Sequence, residues 1–307
     1  MRLRSMPLKS LSRSILNFLL IFVFFLSLIP AQNSLSADAK QKNPLWLVRD
    51  GKSSIYLMGS MHVLKKEAYP LKAALEQAYQ ASDLLVLETD LDAAGTPEFQ
   101  AKVLQLGTYQ DGTTLEQHIS KETFALVKNK AVGLGLPIEQ IQMFKPWTCS
   151  LVFVQLEFMR MGFDPNLGVD RHFFEQAKQD RKKLDWLEPV DFQLQLLTQL
   201  GKENEEAFLK QTFKDLDLFT TKADQLYITW RDGDTANLAG FMDEEFKGFP
   251  ELYNRLFLTR NRDWLPKIEK LIGQKTRALI VVGYGHLIGP QGLVQMLRDK
   301  GYQVEQL

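Results

Sequence analysis

Cysteine is almost absent from this sequence, since Cys149 is the only one in 307 residues. No disulfide can therefore form within the chain. Cys149 lies in the apolar stretch PWTCSLVFVQLEFM. This setting predicts a small buried residue on a helix, because a thiol nucleophile needs an electropositive and partly open site.

Charge of one sign is not in excess either, because 37 basic residues balance 37 acidic ones. Nothing in the composition indicates a nucleic-acid-binding protein, which usually carries a basic patch. The chain also lacks a phosphate-binding loop, a Gly-x-Gly-x-x-Gly motif after its first strand, a Gly-x-Ser-x-Gly turn and a His-Glu-x-x-His helix. Dinucleotide binding is therefore not expected.

The N-terminus has the order of a signal peptide. A basic start is followed by the apolar run Ile15–Pro30 and then by a small, polar stretch at residues 31–37. The run is shorter than the roughly 20 residues of a membrane-spanning helix, which favours cleavage near Ser36 or Ala37 over an uncleaved anchor. We expect a signal peptide at 1–37, one folded domain at 38–307, and an exported protein, periplasmic or secreted. It would meet a membrane only through an uncleaved signal segment.

Strand and helix patterns alternate at both ends of the remaining chain. Two β-rich runs flank Asp50-Gly51, a dipeptide typical of tight hairpins. The spacing of apolar residues predicts a helix over Lys66–Ala81, and the apolar run Asp83–Thr89 predicts a strand buried on both faces. The C-terminal part shows the strand RALIVVG, a helix over Pro290–Lys300 and a strand over Tyr302–Gln306.

The middle of the chain is mostly helical. Helices are predicted over Thr114–Val132, Pro146–Met161 and Asp170–Gln179, a strand over Lys182–Glu188, and about five helices over Pro189–Ile272. The pattern predicts an α/β fold in a single domain. Its central mixed, largely parallel sheet would be shared by the N- and C-terminal strands, with a large helical insertion between them.

Two predicted strands end in the same motif, Gly-x-x-His. IYLMGSMH ends at His62, LIVVGYGH ends at His286, and a third strand, DLLVLE, ends at Glu88. Ligands of open α/β sheets bind outside the carboxyl ends of the strands. We therefore expect these three side chains to converge there, with sharp turns at Gly59, Gly283 and Gly285 that aim the histidines.

Two imidazoles and a carboxylate suit two kinds of chemistry. They can hold a divalent transition metal with open positions, or they can act as acid and base without a metal, the carboxylate orienting one imidazole. The spacing does not separate these alternatives. The structural alternative is a pair of loop histidines bonded to backbone and a carboxylate that caps a helix.

Further candidates for substrate binding lie near the same predicted edge or on helices that could approach it. They are Ser60 and Tyr284 in the two motifs, Asp170, Glu188 and Arg260. A helix cap is the alternative for Asp170, a helix-start charge for Glu188, and an ion pair for Arg260. His118, on a polar periodic helix, is expected at the surface.

A set of motifs in order makes the chain resemble a known family. They are YLMGSMH, LLVLETDLD, LGVDRHFFEQAK, LDWLEPVDFQLQLL, WRDGDTANL, RNRDWLPKIEKLI and VVGYGHLIGPQGLVQMLRDKGYQVEQL. They span nearly all of the predicted folded part and resemble the TraB/GumN group, which is related to the TIKI proteases and, more distantly, to erythromycin-esterase and ChaN-like proteins.

The resemblance implies functional roles for His62, Glu88 and His286. The TIKI branch implies metal-dependent peptide cleavage with manganese or cobalt, the esterase branch a histidine base without a required metal, and the ChaN branch haem or iron binding. We therefore expect an exported hydrolase, a peptidase using a divalent metal (Mn, Co or Zn), acting on a peptide or small molecule. The alternative is a non-catalytic periplasmic protein that binds or sequesters haem, iron or a peptide.

Overall fold

The computed structural model describes residues 42–51, 53–200, 202, 204–219 and 222–307. The predicted signal peptide lies outside these residues. Contacts divide the described chain into two compact units. We call residues 42–90, 164–189 and 222–307 the sheet unit, and residues 91–163 and 190–219 the helical unit.

The sheet unit contains a six-stranded mixed sheet in the order β4-β3-β5-β2-β1-β6. Its strands are β1 Leu45–Arg49, β2 Ser54–Ser60, β3 Leu84–Leu87, β4 Lys183–Trp186, β5 Ala278–Gly283 and β6 Gln303–Gln306. Strands β4, β3, β5 and β2 pair in parallel, while β1 is antiparallel to both β2 and β6. The N- and C-terminal strands therefore share one sheet, as predicted.

The centre of the sheet is its most apolar part. Every residue of β5, ALIVVG, is buried, which is the pattern of a strand covered on both faces. The β1–β2 hairpin turns after Asp50, where Gly51 has a φ of 86° and the Ser53 amide donates to Asp50 Oδ1 at 2.7 Å. Only glycine adopts that φ readily, which explains the predicted hairpin at Asp50-Gly51.

Helices make up most of the remaining chain. In chain order they are α1 Ala73–Gln80, α2 Leu91–Ala94, α3 Pro97–Gly107, α4 Leu115–His118, α5 Lys121–Gly133, α6 Ile138–Ile141, α7 Pro146–Arg160, α8 Val169–Gln179, α9 Val190–Thr198, α10 Glu205–Phe219, α11 Ala223–Arg231, α12 Thr235–Phe246, α13 Pro250–Tyr253, α14 Thr259–Gly273 and α15 Leu293–Asp299. A π-helix, Asn254–Leu258, joins α13 to α14.

The structure confirms the predicted α/β class, with a mixed sheet and helices between its terminal strands. Three of the predicted helices, however, had wrong bounds. The helix over 66–81 is a 3₁₀ turn, Lys66–Ala68, followed by α1, because Pro70 interrupts the backbone ladder. The helix over 114–132 divides into α4 and α5, because Ser120 caps a new helix by accepting from the Thr123 amide. The helix over 290–300 begins only at Leu293.

Two further features of the described residues concern the predictions for Cys149 and for a membrane-spanning helix. Cys149 is fully buried on α7, as predicted, and burial raises the pKa of its thiol. The thiol therefore stays protonated and unreactive, which agrees with a packing role. No helix in the described part of the chain combines the length and apolar character that a membrane crossing requires.

We predict that Ile280→Ala lowers the free energy of unfolding by about 2–5 kcal/mol, because Ile280 is fully buried in the central strand and truncation leaves a cavity. Urea unfolding followed by circular dichroism measures the loss. Val132→Ala is the control: its side chain is 77% exposed, so a change within about 0.5 kcal/mol is expected. Equal losses in both variants would contradict the central place of β5.

Candidate active site at the carboxyl edge of the sheet

All four parallel strands deliver a polar residue to the same edge of the sheet. His62 follows β2, Glu88 follows β3, Glu188 follows β4 and His286 follows β5. The backbone ladder continues past the strand ends, since the Glu188 amide donates to the Glu88 carbonyl at 2.9 Å. Each of the four side chains is buried. The predicted convergence of His62, Glu88 and His286 at one sheet edge is therefore found.

His62 is paired with Asp170 from the first turn of α8. Its Nδ1 lies 2.9 Å from Asp170 Oδ1, and the Ser60 hydroxyl donates to the same oxygen at 2.6 Å. The ionised carboxylate accepts only, so Nδ1 carries a proton and donates it. Among the described residues, no hydrogen bond reaches His62 Nε2. This ring nitrogen remains available for a ligand or a proton.

A glycine allows α8 to approach His62 this closely. A Cβ added to Gly168, the residue before the helix, would lie 2.2 Å from the His62 carbonyl oxygen. The Val169 amide donates to the Met61 carbonyl at 3.0 Å, which attaches the start of α8 to the segment after β2. Gly168 therefore sets the separation between Asp170 and His62.

The side chain at the centre of the site is Arg260 of α14, which is 1% exposed. Its Nη2 donates to Glu88 Oε2 at 2.5 Å and to Glu188 Oε1 at 2.7 Å, and its Nε lies 3.1 Å from both Glu188 oxygens. Nη1 donates to the Leu256 carbonyl at 3.1 Å and to His286 Nε2 at 3.0 Å. Arg260 thus connects the ends of three strands.

His286 is held in one tautomer by its two partners. A guanidinium only donates, so Nε2 is the acceptor and the proton lies on Nδ1, which donates to Asn261 Oδ1 at 2.7 Å. The Asn261 amide nitrogen donates to the carbonyls of His286 and Gln291, at 3.3 and 3.1 Å, which fixes the orientation of the amide. Both ring nitrogens of His286 are therefore used within the protein.

The two imidazoles consequently differ in pKa. Burial lowers the pKa of His62, but the charge of Asp170 and the hydrogen bond to it outweigh burial and raise that pKa above 6.5. Burial and then the adjacent Arg260 charge hold the pKa of His286 well below 6.5. The lowered pKa makes His286 a neutral acceptor near neutral pH, whereas the raised pKa of His62 favours its protonated form.

Glu88 is a buried carboxylate that remains ionised. Burial alone would raise its pKa, but Arg260, then His286, His62 and the Gly283 amide lower it to about 2. The Gly283 amide donates to Glu88 Oε1 at 2.6 Å, and His286 Nε2 lies 3.9 Å from the same oxygen. The turn glycine at the end of β5 therefore supplies a backbone donor to the site.

The secondary candidates lie around this centre in different roles. Ser60 and Asp170 hold His62, and Glu188 binds Arg260. The Tyr284 ring packs so closely on Gly59 that a Cβ there would lie 2.3 Å from Tyr284 Cδ2. The Tyr284 hydroxyl is buried and has no hydrogen-bond partner among the described residues.

Three residues that were not predicted as site residues complete the centre of the site. Trp264 donates from its indole to Glu188 Oε2 at 2.9 Å, and its ring lies 4.4 Å from the His286 ring and 4.6 Å from the Arg260 guanidinium. Asn261 orients His286, and the Phe257 ring lies 4.9 Å from the His286 ring. The segment RNRDW predicts Arg260, Asn261 and Trp264 as a cluster on one helix face, whereas Phe257 lies in the π-helix before α14.

The nitrogen and oxygen atoms that could bind a divalent metal at this edge already have other partners. A neutral imidazole has a single acceptor nitrogen, and the one on His286 accepts from Arg260. Both carboxylates bind the same guanidinium. Among the described residues, no group of three or more histidine, cysteine, aspartate or glutamate side chains is arranged to hold a metal ion.

We predict that Gly168→Ala destabilises the fold by about 1–3 kcal/mol, because the new methyl group meets backbone atoms that cannot rotate away. Urea unfolding measures the loss. The control is Gly273→Ala in α14, where a Cβ has no neighbour within 4 Å and alanine favours the helix. A Gly168→Ala protein as stable as the control would disprove the close approach.

We also predict that Glu88→Gln weakens the acid sensitivity of the fold. The pKa of the Glu88 carboxyl is lower in the folded protein than in the unfolded chain, where it has its ordinary value of 4.5. The ionised carboxylate therefore stabilises the fold at pH values above 4.5, and this stabilisation is lost as the pH falls towards about 2. The shift corresponds to about 3 kcal/mol. Urea unfolding between pH 3 and 6 should show a shallower dependence in Glu88→Gln. Glu305→Gln, at an exposed ion pair, should keep the wild-type slope.

The comparisons with known proteins agree with the recognised motifs. The model of the TraB/PrgY/gumN family matches residues 44–306, a range that includes all six strands and the whole site. Proteins of Escherichia coli (strain K12) and Shigella flexneri, each called uncharacterized protein YbaP, are 24% identical over 248 residues, which cover 81% of this chain and 89% of theirs. No solved structure gives a significant match. The chain belongs to the TraB/PrgY/gumN family.

Proposed function

We propose that the protein is a hydrolase in which His62 activates water as a general base. The observation that supports this most directly is the contact between Asp170 Oδ1 and His62 Nδ1 at 2.9 Å, with Nε2 left unbonded among the described residues. A carboxylate bonded to one ring nitrogen fixes the tautomer in which the other nitrogen accepts a proton.

The reaction uses groups that are already in place. Neutral His62 takes a proton from water at Nε2 as the water oxygen attacks the electrophilic carbon of an ester or amide. The bond to the leaving group then breaks, and the imidazolium returns that proton to the leaving oxygen or nitrogen. Asp170 and the more distant Glu88 are both negative and favour the imidazolium that forms between the two steps.

His286 and Arg260 have supporting roles in this proposal. His286 is neutral, its nitrogens are both occupied, and it is 1% exposed, so it is not placed to exchange protons with substrate. Arg260 keeps Glu88 ionised and connects the strand ends. Of the two chemistries that the sequence left open, the geometry supports acid–base hydrolysis better than metal-activated water.

The substrate class and the cell compartment come from the sequence. We propose a peptide or a small ester or amide, in keeping with the peptidase and esterase branches that the chain resembles. We also propose that the protein is exported, from the signal-peptide order of residues 1–37.

Sequestration of haem, iron or a peptide is the second function that the sequence suggested. An iron centre held by both histidines would need a free nitrogen on each, and His286 offers none. A non-catalytic peptide-binding protein makes no such demand. It would hold a peptide at fixed stoichiometry and leave it intact, so mass spectrometry of peptides after incubation distinguishes it from a hydrolase.

We predict that His62→Ala lowers hydrolysis by about 10²–10⁴-fold, the usual contribution of a general base. Activity is measured on a peptide library and a panel of esters with metal-free protein. His118→Ala, at an exposed histidine of the helical unit, serves as the control and should keep wild-type activity. Equal activity of the two variants would remove His62 from the mechanism.

The pH profile gives a second measurement on the same site. His62 must be neutral to accept a proton, so activity should rise with pH through a midpoint above 6.5. Asp170→Asn removes the charge that raises this pKa, and the midpoint should move to lower pH while kcat falls. A profile unchanged by Asp170→Asn would show that the pair does not control the reaction.

A further inference from the structure

The cationic centre of this site is complete without any added ion. All five N–H groups of Arg260 are used: one on Nε towards Glu188, two on Nη1 towards Leu256 and His286, and two on Nη2 towards Glu88 and Glu188. The side chain is 1% exposed. A buried charge is tolerated only when it is paired and hydrogen-bonded, and this guanidinium meets both conditions.

The lone pairs around Arg260 are those that a divalent metal would require. Nε2 is the single acceptor nitrogen of neutral His286. Glu88 Oε2 and Glu188 Oε1 both accept from Nη2, while the other oxygens accept from the Gly283 amide and the Trp264 indole. One imidazole nitrogen and two carboxylates form a common ligand set for zinc or manganese. Here that set surrounds a guanidinium.

We infer that the Arg260 guanidinium is the resident cation of this site and occupies the position among Glu88, Glu188 and His286 that a divalent metal would take. A metal could enter only by displacing the guanidinium, since both ions carry positive charge and need the same lone pairs. Arg260 is therefore a positioning residue that replaces the metal. This inference does not depend on whether the site hydrolyses a substrate.

The local helix geometry places Arg260 for this role. The π-helix Asn254–Leu258 ends directly before α14, and the carbonyl of Leu256 within it accepts from Nη1. π-Helical turns are rare and occur frequently at functional sites. One turn after Arg260, the Trp264 ring lies against the guanidinium at 4.6 Å and binds Glu188. The guanidinium is thus held from both directions along its own helix.

The first test uses the wild-type protein, stripped of metal with a chelator. Mn²⁺, Co²⁺ and Zn²⁺ are added separately, and binding is followed by titration calorimetry, by elemental analysis after desalting and by the shift in Tm. We expect no stoichiometric uptake and no shift. One equivalent of bound metal in the wild type that is lost in His286→Ala would overturn the inference.

The second test empties the position. Arg260→Ala leaves two carboxylates and an imidazole facing a cavity, and it should gain a site for one Zn²⁺ or Mn²⁺. At 100 times Kd, the metal should raise Tm by about 5–10 °C. The double variant Arg260→Ala with His286→Ala should lose this gain, which assigns the metal to these residues.

Because unpaired buried carboxylates oppose the folding of Arg260→Ala without metal, refolding is measured with and without Zn²⁺. Recovery of a cooperative transition only with Zn²⁺ would support the inference. A variant that stays unfolded with every ion, or that folds and takes up none, would overturn it. Arg260→Lys keeps the positive charge, and it should fold and show no metal-induced Tm shift. His62→Ala should also leave every metal titration unchanged, which separates this inference from the proposed hydrolysis.

Discussion

The buried Arg260 guanidinium is the interaction on which the site depends. It binds the carboxylates that follow β3 and β4 and the imidazole that follows β5, so one side chain connects three strand ends. Removal of one partner of a buried ion pair typically costs about 3–5 kcal/mol, because the charge that remains is unpaired. Glu88 and Glu188 can be buried side by side only because this cation lies between them.

The Arg260 guanidinium also contributes to the different pKa values of the histidines in the two Gly-x-x-His motifs. Each Gly-x-x-His motif ends a buried parallel strand, yet burial and the adjacent Arg260 charge hold the pKa of His286 low, whereas His62 is bonded to Asp170 and its pKa is raised. The charge of the nearest neighbour determines the difference, and in each case that neighbour comes from a distant helix. One histidine is therefore part of the framework, and the other is the group available for chemistry.

Local patterns predicted much of the fold. The uninterrupted apolar run of β5 and the Asp50-Gly51 turn led to the correct strands and hairpin, because a buried strand and a tight turn each depend on residues close together in sequence. Predicted helix bounds were wrong where a single residue interrupts a periodic pattern, as Pro70 and Ser120 do. Such residues act through backbone hydrogen bonding, which apolar periodicity does not report.

The sequence by itself determined which residues reach the carboxyl edge, since the ends of apolar strands can be read locally and parallel strands bring their ends together. It did not determine their partners. Arg260 and Asp170 lie on helices far in sequence from the histidines that they contact, at separations of 26 and 108 residues. Only the tertiary structure decided that a guanidinium lies where a metal was expected, because the charge and tautomer of a buried imidazole depend on atoms within a few ångströms, whichever part of the chain supplies them.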